Sequence, residues 1–266
     1  MSASVNQIRM AINLRLPDLY FMSILKGYRM TVIHLALVIL ALGLLAIFAY
    51  LYSVAWIESG QASRLKDQAM LSPVSVTKPH AAVVYFSRSG NTALAARHVA
   101  KRLDAELFSI EAPDYQLGVG GLVHAVKDAN NRRTHPEVLP DIKPRTMDLT
   151  PCDTVWLGSP VWLYSPAPPI WAFIEHNRFD GMNVVLFNTF NSHIGDDHIA
   201  AFKAKVMARG AKSFEHRKVL RGRMLQQITP EQMIDAIDKE WFATSAIGQT
   251  GGYLDQNRYS QSGARR

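Results

Sequence analysis

The stretch Ala81-Ala82-Val83-Val84-Tyr85-Phe86, followed at once by Ser87-Arg88-Ser89-Gly90-Asn91-Thr92, constrains this chain more than any other. The first six residues are apolar, rich in β-branched and aromatic side chains, and lack a helical period. They predict a strand buried on both faces. A helix is then expected to open at about Thr92 and to carry Leu94, Ala95, Val99, Ala100 and Leu103 on one side. Strand, short hydroxyl-rich turn and helix start bring hydroxyl donors and free backbone N–H groups to the positive end of a helix dipole, a place suited to a phosphate. Ser87, Ser89 and Thr92 supply hydroxyls, and Gly90 permits a positive φ or a close approach. An ordinary β–α turn in which Ser89 or Asn91 caps the helix accounts equally well for these six residues alone. No Gly-Lys-Ser/Thr follows, so the turn is not a P-loop, and the three spaced glycines of a dinucleotide fingerprint are missing.

Downstream, strands and helices alternate. Ala105–Glu111 is expected as a second strand, Gly118–Asn131 as a helix and Asp153–Gly158 as a third strand. A loop, Ser159-Pro160-Val161-Trp162-Leu163-Tyr164, should then lead into a helix at Pro168 that turns Ile170, Phe173 and Ile174 inwards. Asn183–Phe187 predicts a fourth strand, with Asn188-Thr189-Phe190-Asn191 as the loop at its carboxyl end. A helix over Ile199–Arg209, a fifth strand over Ser213–Leu220 and a last helix capped by Thr229 complete the pattern. Alternation of this kind predicts a parallel α/β sheet whose carboxyl-end loops share one rim. Aromatic residues at a loop tip are costly to expose unless they cover something flat, so Trp162 and Tyr164 are candidates for stacking on a planar ligand. Packing of Trp162 beneath the following helix is the other reading. The run from His193 to His198 contains metal-ligating residue types, but its spacing predicts an Asp-rich helix start.

The N-terminal part is of a different kind. Val32–Trp56 runs for about 25 residues without a charge. As a helix it would be roughly 37 Å long, enough to cross a hydrocarbon core of about 30 Å with some tilt. Tyr50, Tyr52 and Trp56 form an aromatic belt at its far end. The segment is too long, and its flank too extended, for a signal peptide, so a single-pass anchor is expected over 31–56. Residues 1–30 precede it as a segment in which Met30 offers an alternative start. The polar stretch 57–80 reads as a linker, beginning as a helical stalk through Arg64-Leu65-Lys66. The folded domain is expected over 81–245, and 246–266 as a disordered tail.

Charge narrows the function. Residues 1–80 carry seven Lys/Arg against three Asp/Glu, whereas 81–220 carry sixteen against fourteen. The excess of base lies outside the α/β region, which argues against a nucleic-acid footprint on it. With one cysteine, Cys152, the chain has no intramolecular disulfide and no CxxC motif. No triad, carboxylate pair or metal cluster stands out as a catalytic constellation.

Ser87-Arg88-Ser89-Gly90-Asn91-Thr92 resembles the phosphate loop of the flavodoxin family, whose pattern is Ser/Thr-x-Thr/Ser-Gly-Asn-Thr after the first strand. Gly158-Ser159-Pro160-Val161-Trp162 is similar to that family's Gly-x-Pro-x-Trp segment, and the two matches bracket roughly Ala81–Leu220. The resemblance implies a doubly wound five-stranded parallel sheet in the order 2-1-3-4-5, with FMN at its rim. The phosphate would lie in the loop Ser87–Thr92, the ring along Ser159–Tyr164, and the pyrimidine edge against Asn188, Thr189, Phe190 and Asn191. Relatives often carry a Ser/Thr-Gly-Gly sequence at this last position, where this chain has the bulkier Phe190 and Asn191. On this footing the flavin carries the chemistry. The expected function is electron transfer, or NAD(P)H-dependent reduction of a small or lipid-soluble acceptor such as a quinone, by a domain tethered to the bilayer through Val32–Trp56. A non-catalytic FMN carrier serving a membrane redox complex, and a flavin-free interaction module, are the alternatives. The nearly neutral domain lacks the acidic surface with which soluble flavodoxin shuttles steer to partners. Arg15, Lys26 and Arg29 before the span against Arg64 and Lys66 after it lean towards an outward-facing domain. A start at Met30 reverses that lean, and supply of NAD(P)H favours the cytoplasmic face.

Overall fold

The computed structural model describes residues 3–67, 80–132, 134–222 and 226–242. The expected tail, and most of the expected linker after Asp67, lie outside the described residues. The chain divides into two compact units, Met1–Trp56 and Ile57–Arg266.

Helix α1 (Ala3–Asp67) forms the first unit and contributes its last turns to the second. Its segment Tyr28–Leu65 contains an 18-residue window with a mean hydropathy of 2.8 and is long and apolar enough, by length and composition, to cross a membrane. In the first unit Leu37, Ile39, Leu42, Leu45 and Phe48, which point to different sides of the helix, are all exposed. A helix that is apolar all round and covered by nothing is not the core helix of a globular domain.

The second unit is built on a parallel sheet. Its strands are β1 (Ala81–Phe86), β2 (Glu106–Ile110), β3 (Thr154–Trp162), β4 (Ser165–Pro166), β5 (Asn183–Phe190) and β6 (Ser213–Leu220). They are ordered β2-β1-β3-β5-β6, with the two-residue β4 folding back antiparallel on the end of β3. The parallel strands alone are thus in the order 2-1-3-4-5 that the resemblance implies. The parallel pairs run in register from a common end: Ala81 lies opposite Thr154, Thr154 opposite Asn183, and Asn183 opposite Ser213. From β1 the chain moves outwards to β2, and from β3 it moves the other way to β5 and β6. The carboxyl ends of β1 and β3 therefore flank a topological switch point.

Period-two alternation explains the three layers. Ala82, Val84 and Phe86 of β1, Val155 and Leu157 of β3, and Val184 and Leu186 of β5 face one core, which is closed by α4 (Pro168–His176) and α5 (Asp196–Ala208). Val83, Trp156, Val185 and Phe187 face the other, closed by α2 (Asn91–Leu103) and α6 (Pro230–Ile237). Ile170, Phe173 and Ile174 are fully buried, as their spacing predicts, and each contributes about 1.5–3 kcal/mol of transfer free energy. Helix α3 (Val119–Asn131) follows a short 3-10 turn at Pro113–Tyr115, and α6 starts with a complete capping box between Thr229 and Gln232. At Gly158 the sheet and an aromatic ring come so close that a Cβ would lie 2.3 Å from Phe187 Cζ.

Two strands are longer than the sequence predicts. β3 continues through Ser159–Trp162, because Pro160 still pairs with Thr189 and the chain then turns back into β4. β5 continues through Asn188–Phe190, which pair with Lys218–Leu220 of β6. What reads as loop in both places is strand, held by a neighbour distant in sequence. Residues 57–67 are helical, as the helical stalk expected through Arg64-Leu65-Lys66 suggests.

Candidate functional site

The first loop is shaped by Gly90, which is the N-cap of α2 with φ 89° and makes no side-chain cap hydrogen bond. Neither Ser89 nor Asn91 caps the helix, so its first N–H groups are not consumed by a side-chain cap. Ser87 Oγ accepts the Gly90 N–H at 3.2 Å, and Ser89 Oγ accepts from Asn91 Nδ2 at 3.4 Å, which draws the turn tight. Thr92 is buried, and its Oγ1 is hydrogen-bonded to Thr189 Oγ1 at 2.7 Å, joining the first loop to the end of β5.

The side chain of Arg88 turns away from this loop. Its Nε donates to Tyr115 O at 3.2 Å and its Nη2 to Gly118 O at 3.0 Å, while Nη1 pairs with the Glu58 carboxylate from the last turns of α1. Both side chains of that pair are buried. Those last turns make further contacts with the domain. Arg97 Nη2 donates to Leu65 O at 3.2 Å, and a Cβ at Gly90 would meet Leu65 Cβ at 3.0 Å.

The second loop is the hairpin between β3 and β4. Ser159 is fully buried. Its Oγ accepts the Ala167 N–H at 2.9 Å, and its carbonyl accepts Asn188 Nδ2 at 2.9 Å. Asn188 Oδ1 in turn faces His216 Nε2 at 2.9 Å. Because the amide nitrogen of Asn188 is already donating, the imidazole must donate here, and burial lowers its pKa to about 4, keeping it neutral. This chain, Ser159–Asn188–His216, ties the end of β3 and of β5 to the middle of β6. Trp162 packs edge-on against Tyr115 (5.3 Å, 84°) and Phe86 (5.6 Å, 88°). Leu163 and Tyr164 form the tip with φ 46° and 72°, conformations unusual for residues other than glycine. Tyr164 is half exposed and lies edge-on to His193 at 5.8 Å, and its carbonyl accepts the Gly195 N–H at 2.8 Å.

These elements close on a cavity of about 100 Å³ at the switch point. Ser89 and Asn91 reach it from the first loop, Pro160, Val161 and Trp162 from the second, and Thr189, Phe190 and Asn191 from the third. Ser87, Arg88 and Gly90 instead line a neighbouring cavity of about 360 Å³ beside β2. Thr92, Ser159 and Asn188 lie behind the rim as buried hydrogen-bonded supports, and Leu163 and Tyr164 stand at the exposed hairpin tip. Among the described residues no group of three His, Cys, Asp or Glu side chains is placed to hold a metal ion.

Sequence reasoning misses Arg221, Glu58, Gln61 and Gln227, which line the same cavity. Arg221 follows the last residue of β6, and its Nε donates to Asn91 Oδ1 at 3.0 Å. Gln61 Nε2 donates to Gln227 Oε1 at 2.9 Å. The available signal for Arg221 was its position, a basic residue directly after the fifth predicted strand and so on the same rim as the loops.

A family model described as flavodoxin matches residues 80–236. No curated protein matches the chain. Among solved structures, a flavoprotein from Bacteroides uniformis is 21% identical, with a TM-score of 0.49, over 61% of this chain and 99% of its own. A flavoprotein in complex with FMN from Lactobacillus acidophilus is 19% identical, with a TM-score of 0.44, over 52% and 93%. An NAD(P)H:quinone oxidoreductase from Methanothermobacter marburgensis is 6% identical, with a TM-score of 0.38, over 61% and 94%. With more than half its length matched by that model, and with its parallel strands in the order 2-1-3-4-5, the chain belongs to the flavodoxin family.

Proposed function

We propose that the protein binds FMN at the switch-point rim and acts as a membrane-tethered flavodoxin-like oxidoreductase, passing electrons from NAD(P)H to a lipid-soluble acceptor such as a quinone. One observation carries the cofactor assignment. The α2 N-terminus opens beside the cavity with Gly90 in the left-handed region and no side chain capping it, so its donors are available to an anion. The donor set suits the group. Ser89, Asn91 and Thr189 offer polar side chains at one end, and Pro160, Val161, Trp162 and Phe190 offer apolar surface for a flat ring further along.

When bound, the flavin supplies the exchange of one or two electrons. The chain's own residues bind and orient it. The first loop holds the phosphate, while the second and third loops hold the ring. The buried Ser159–Asn188–His216 chain keeps the rim from shifting as the load on it changes. Tethering through Val32–Trp56 supports the choice of acceptor, since a lipid-soluble oxidant is concentrated where the domain is anchored. The cytoplasmic face, where NAD(P)H is available, is the side this reading requires.

Purification of the full chain in detergent tests the proposal. A yellow preparation whose extracted chromophore is FMN, and which oxidises NAD(P)H on addition of a short-chain quinone, is the expected result. A folded but colourless preparation that leaves the fluorescence of added FMN unquenched overturns it. Bound FMN without NAD(P)H turnover overturns the enzymatic part alone.

A further inference from the structure

Arg221 is 7% exposed, yet its guanidinium is only partly used. Nε donates to Asn91 Oδ1, whereas Nη1 is buried with no hydrogen-bond partner. A buried cationic donor without an acceptor is costly, and native structures keep such groups where something completes them. The contrast with Arg88 is informative. The arginine that lies within the phosphate-loop motif is spent on the Glu58 carboxylate and on the carbonyls of Tyr115 and Gly118. The arginine brought in from the end of β6, 130 residues from Asn91, lines the cavity and has a donor without a partner among the described residues.

The charges around the cavity add up in the same direction. Glu58 lines it, but its charge is cancelled by Arg88. Glu231 acts on Arg221 electrostatically without a hydrogen bond to it, and an arginine stays protonated. Among the described residues this leaves Arg221 as the uncompensated cation beside the uncapped N-terminus of α2, in a cavity that Ser89 and Thr189 also line.

We infer that Arg221 is a ligand-binding residue, the counter-charge for a phosphomonoester dianion. It would make the site select a flavin with a terminal phosphate over one that ends in a hydroxyl. This rests on the FMN reading above and adds to it a specificity determinant outside the three loops. Asn91, which accepts from Nε through its Oδ1, would hold the guanidinium in place while Nη1, on the other side of the fork, meets the phosphate.

The test is a fluorescence titration of the detergent-purified full chain with FMN and with riboflavin, for the wild type, Arg221→Gln and Arg221→Lys. A charge-assisted contact of this kind predicts that the wild type prefers FMN by about tenfold to a hundredfold. Arg221→Gln should weaken FMN by a similar factor and leave riboflavin within about twofold, so that the preference disappears. Arg221→Lys, which keeps the charge but loses the fork, should fall between the two. Unaltered riboflavin binding shows that the variant folds. Should Arg221→Gln not fold, the wild type alone still decides, because equal affinity for the two flavins overturns the inference. Retention of the full FMN preference by Arg221→Gln overturns it as well. Failure of the wild type to bind either flavin sinks the FMN reading itself, and the role of Arg221 with it.

Discussion

Thr92 and Thr189, 97 residues apart in the chain, share a buried hydrogen bond of 2.7 Å between their hydroxyls. It joins the start of α2 to the end of β5, so the first and third loops are set relative to each other before any ligand arrives. Valine has nearly the same volume as threonine but no hydroxyl, so it removes this bond while keeping the shape.

A double-mutant cycle on this pair should therefore show coupling. Thr92→Val and Thr189→Val are each expected to destabilise the domain by about 1–2 kcal/mol, because each leaves one buried hydroxyl without a partner. The double variant should cost less than the sum by about 1 kcal/mol. Strict additivity in urea unfolding would show that the bond holds nothing together.

Ser89→Ala combined with Thr92→Ala is expected to weaken FMN retention at least about tenfold, by removing one hydroxyl at the cavity and one that supports it. Unchanged affinity by fluorescence titration would count against a phosphate in this turn.

Glu58 and Arg88 form a buried ion pair between the last turns of α1 and the first loop. Glu58→Gln removes the charge but keeps the shape, leaving the guanidinium with a neutral amide oxygen and the backbone carbonyls of Tyr115 and Gly118. A loss of up to about 3–5 kcal/mol is expected, the range for breaking one side of a buried pair. Limited proteolysis after Lys66 should also become faster, since this pair is one of the contacts holding the helix end to the domain. A variant with wild-type stability and cleavage would show that the helix end is held by Leu65, Gln61 and Arg97 instead.

His216 sets a pH dependence. Its pKa of about 4 in the fold lies below the ordinary 6.5 because burial penalises the imidazolium and Lys218 repels it. The unfolded chain then binds the proton more readily than the folded one. Stability is fully present above pH 6.5 and is lost as the pH falls from 6.5 towards 4. Since the ring is only partly buried, a loss of ~2 kcal/mol is a discounted figure for this group. His216→Gln, which can still donate to Asn188 Oδ1, should flatten thermal unfolding midpoints across that interval. An equally steep wild-type and variant profile would assign the effect to other groups.

The hairpin tip is another place where structure makes a demand. Trp162 pairs with Ser165, and the two residues between them both have positive φ, the geometry of a tight primed turn usually filled by Asn-Gly. Replacing Leu163 with Asn and Tyr164 with Gly should relieve about 1–2 kcal/mol of backbone strain and raise the unfolding midpoint by roughly 3–6 °C. An unchanged midpoint would mean that the tip bears no strain.

The local pattern of the sequence determined the strands, most helix boundaries, the order of alternation and the first loop. Runs such as Val83-Val84 and Val184-Val185-Leu186 are apolar at consecutive positions, and only a strand covered on both faces accommodates that. The charge-free run from Val32 to Trp56 is legible for the same reason, as composition and length are enough to set it apart. Tertiary structure alone decided what the side chains do. Ser159–Trp162 and Asn188–Phe190 became strand because β5 and β6 offered hydrogen-bond partners, which no local propensity encodes. Arg88, conspicuous in the motif, was drawn away by a carboxylate 30 residues upstream. Arg221, inconspicuous after Leu220, was carried to Asn91 by the sheet order that sets β6 beside β5. A side chain's partners depend on which distant segments share its surroundings, and that is settled when the layers pack.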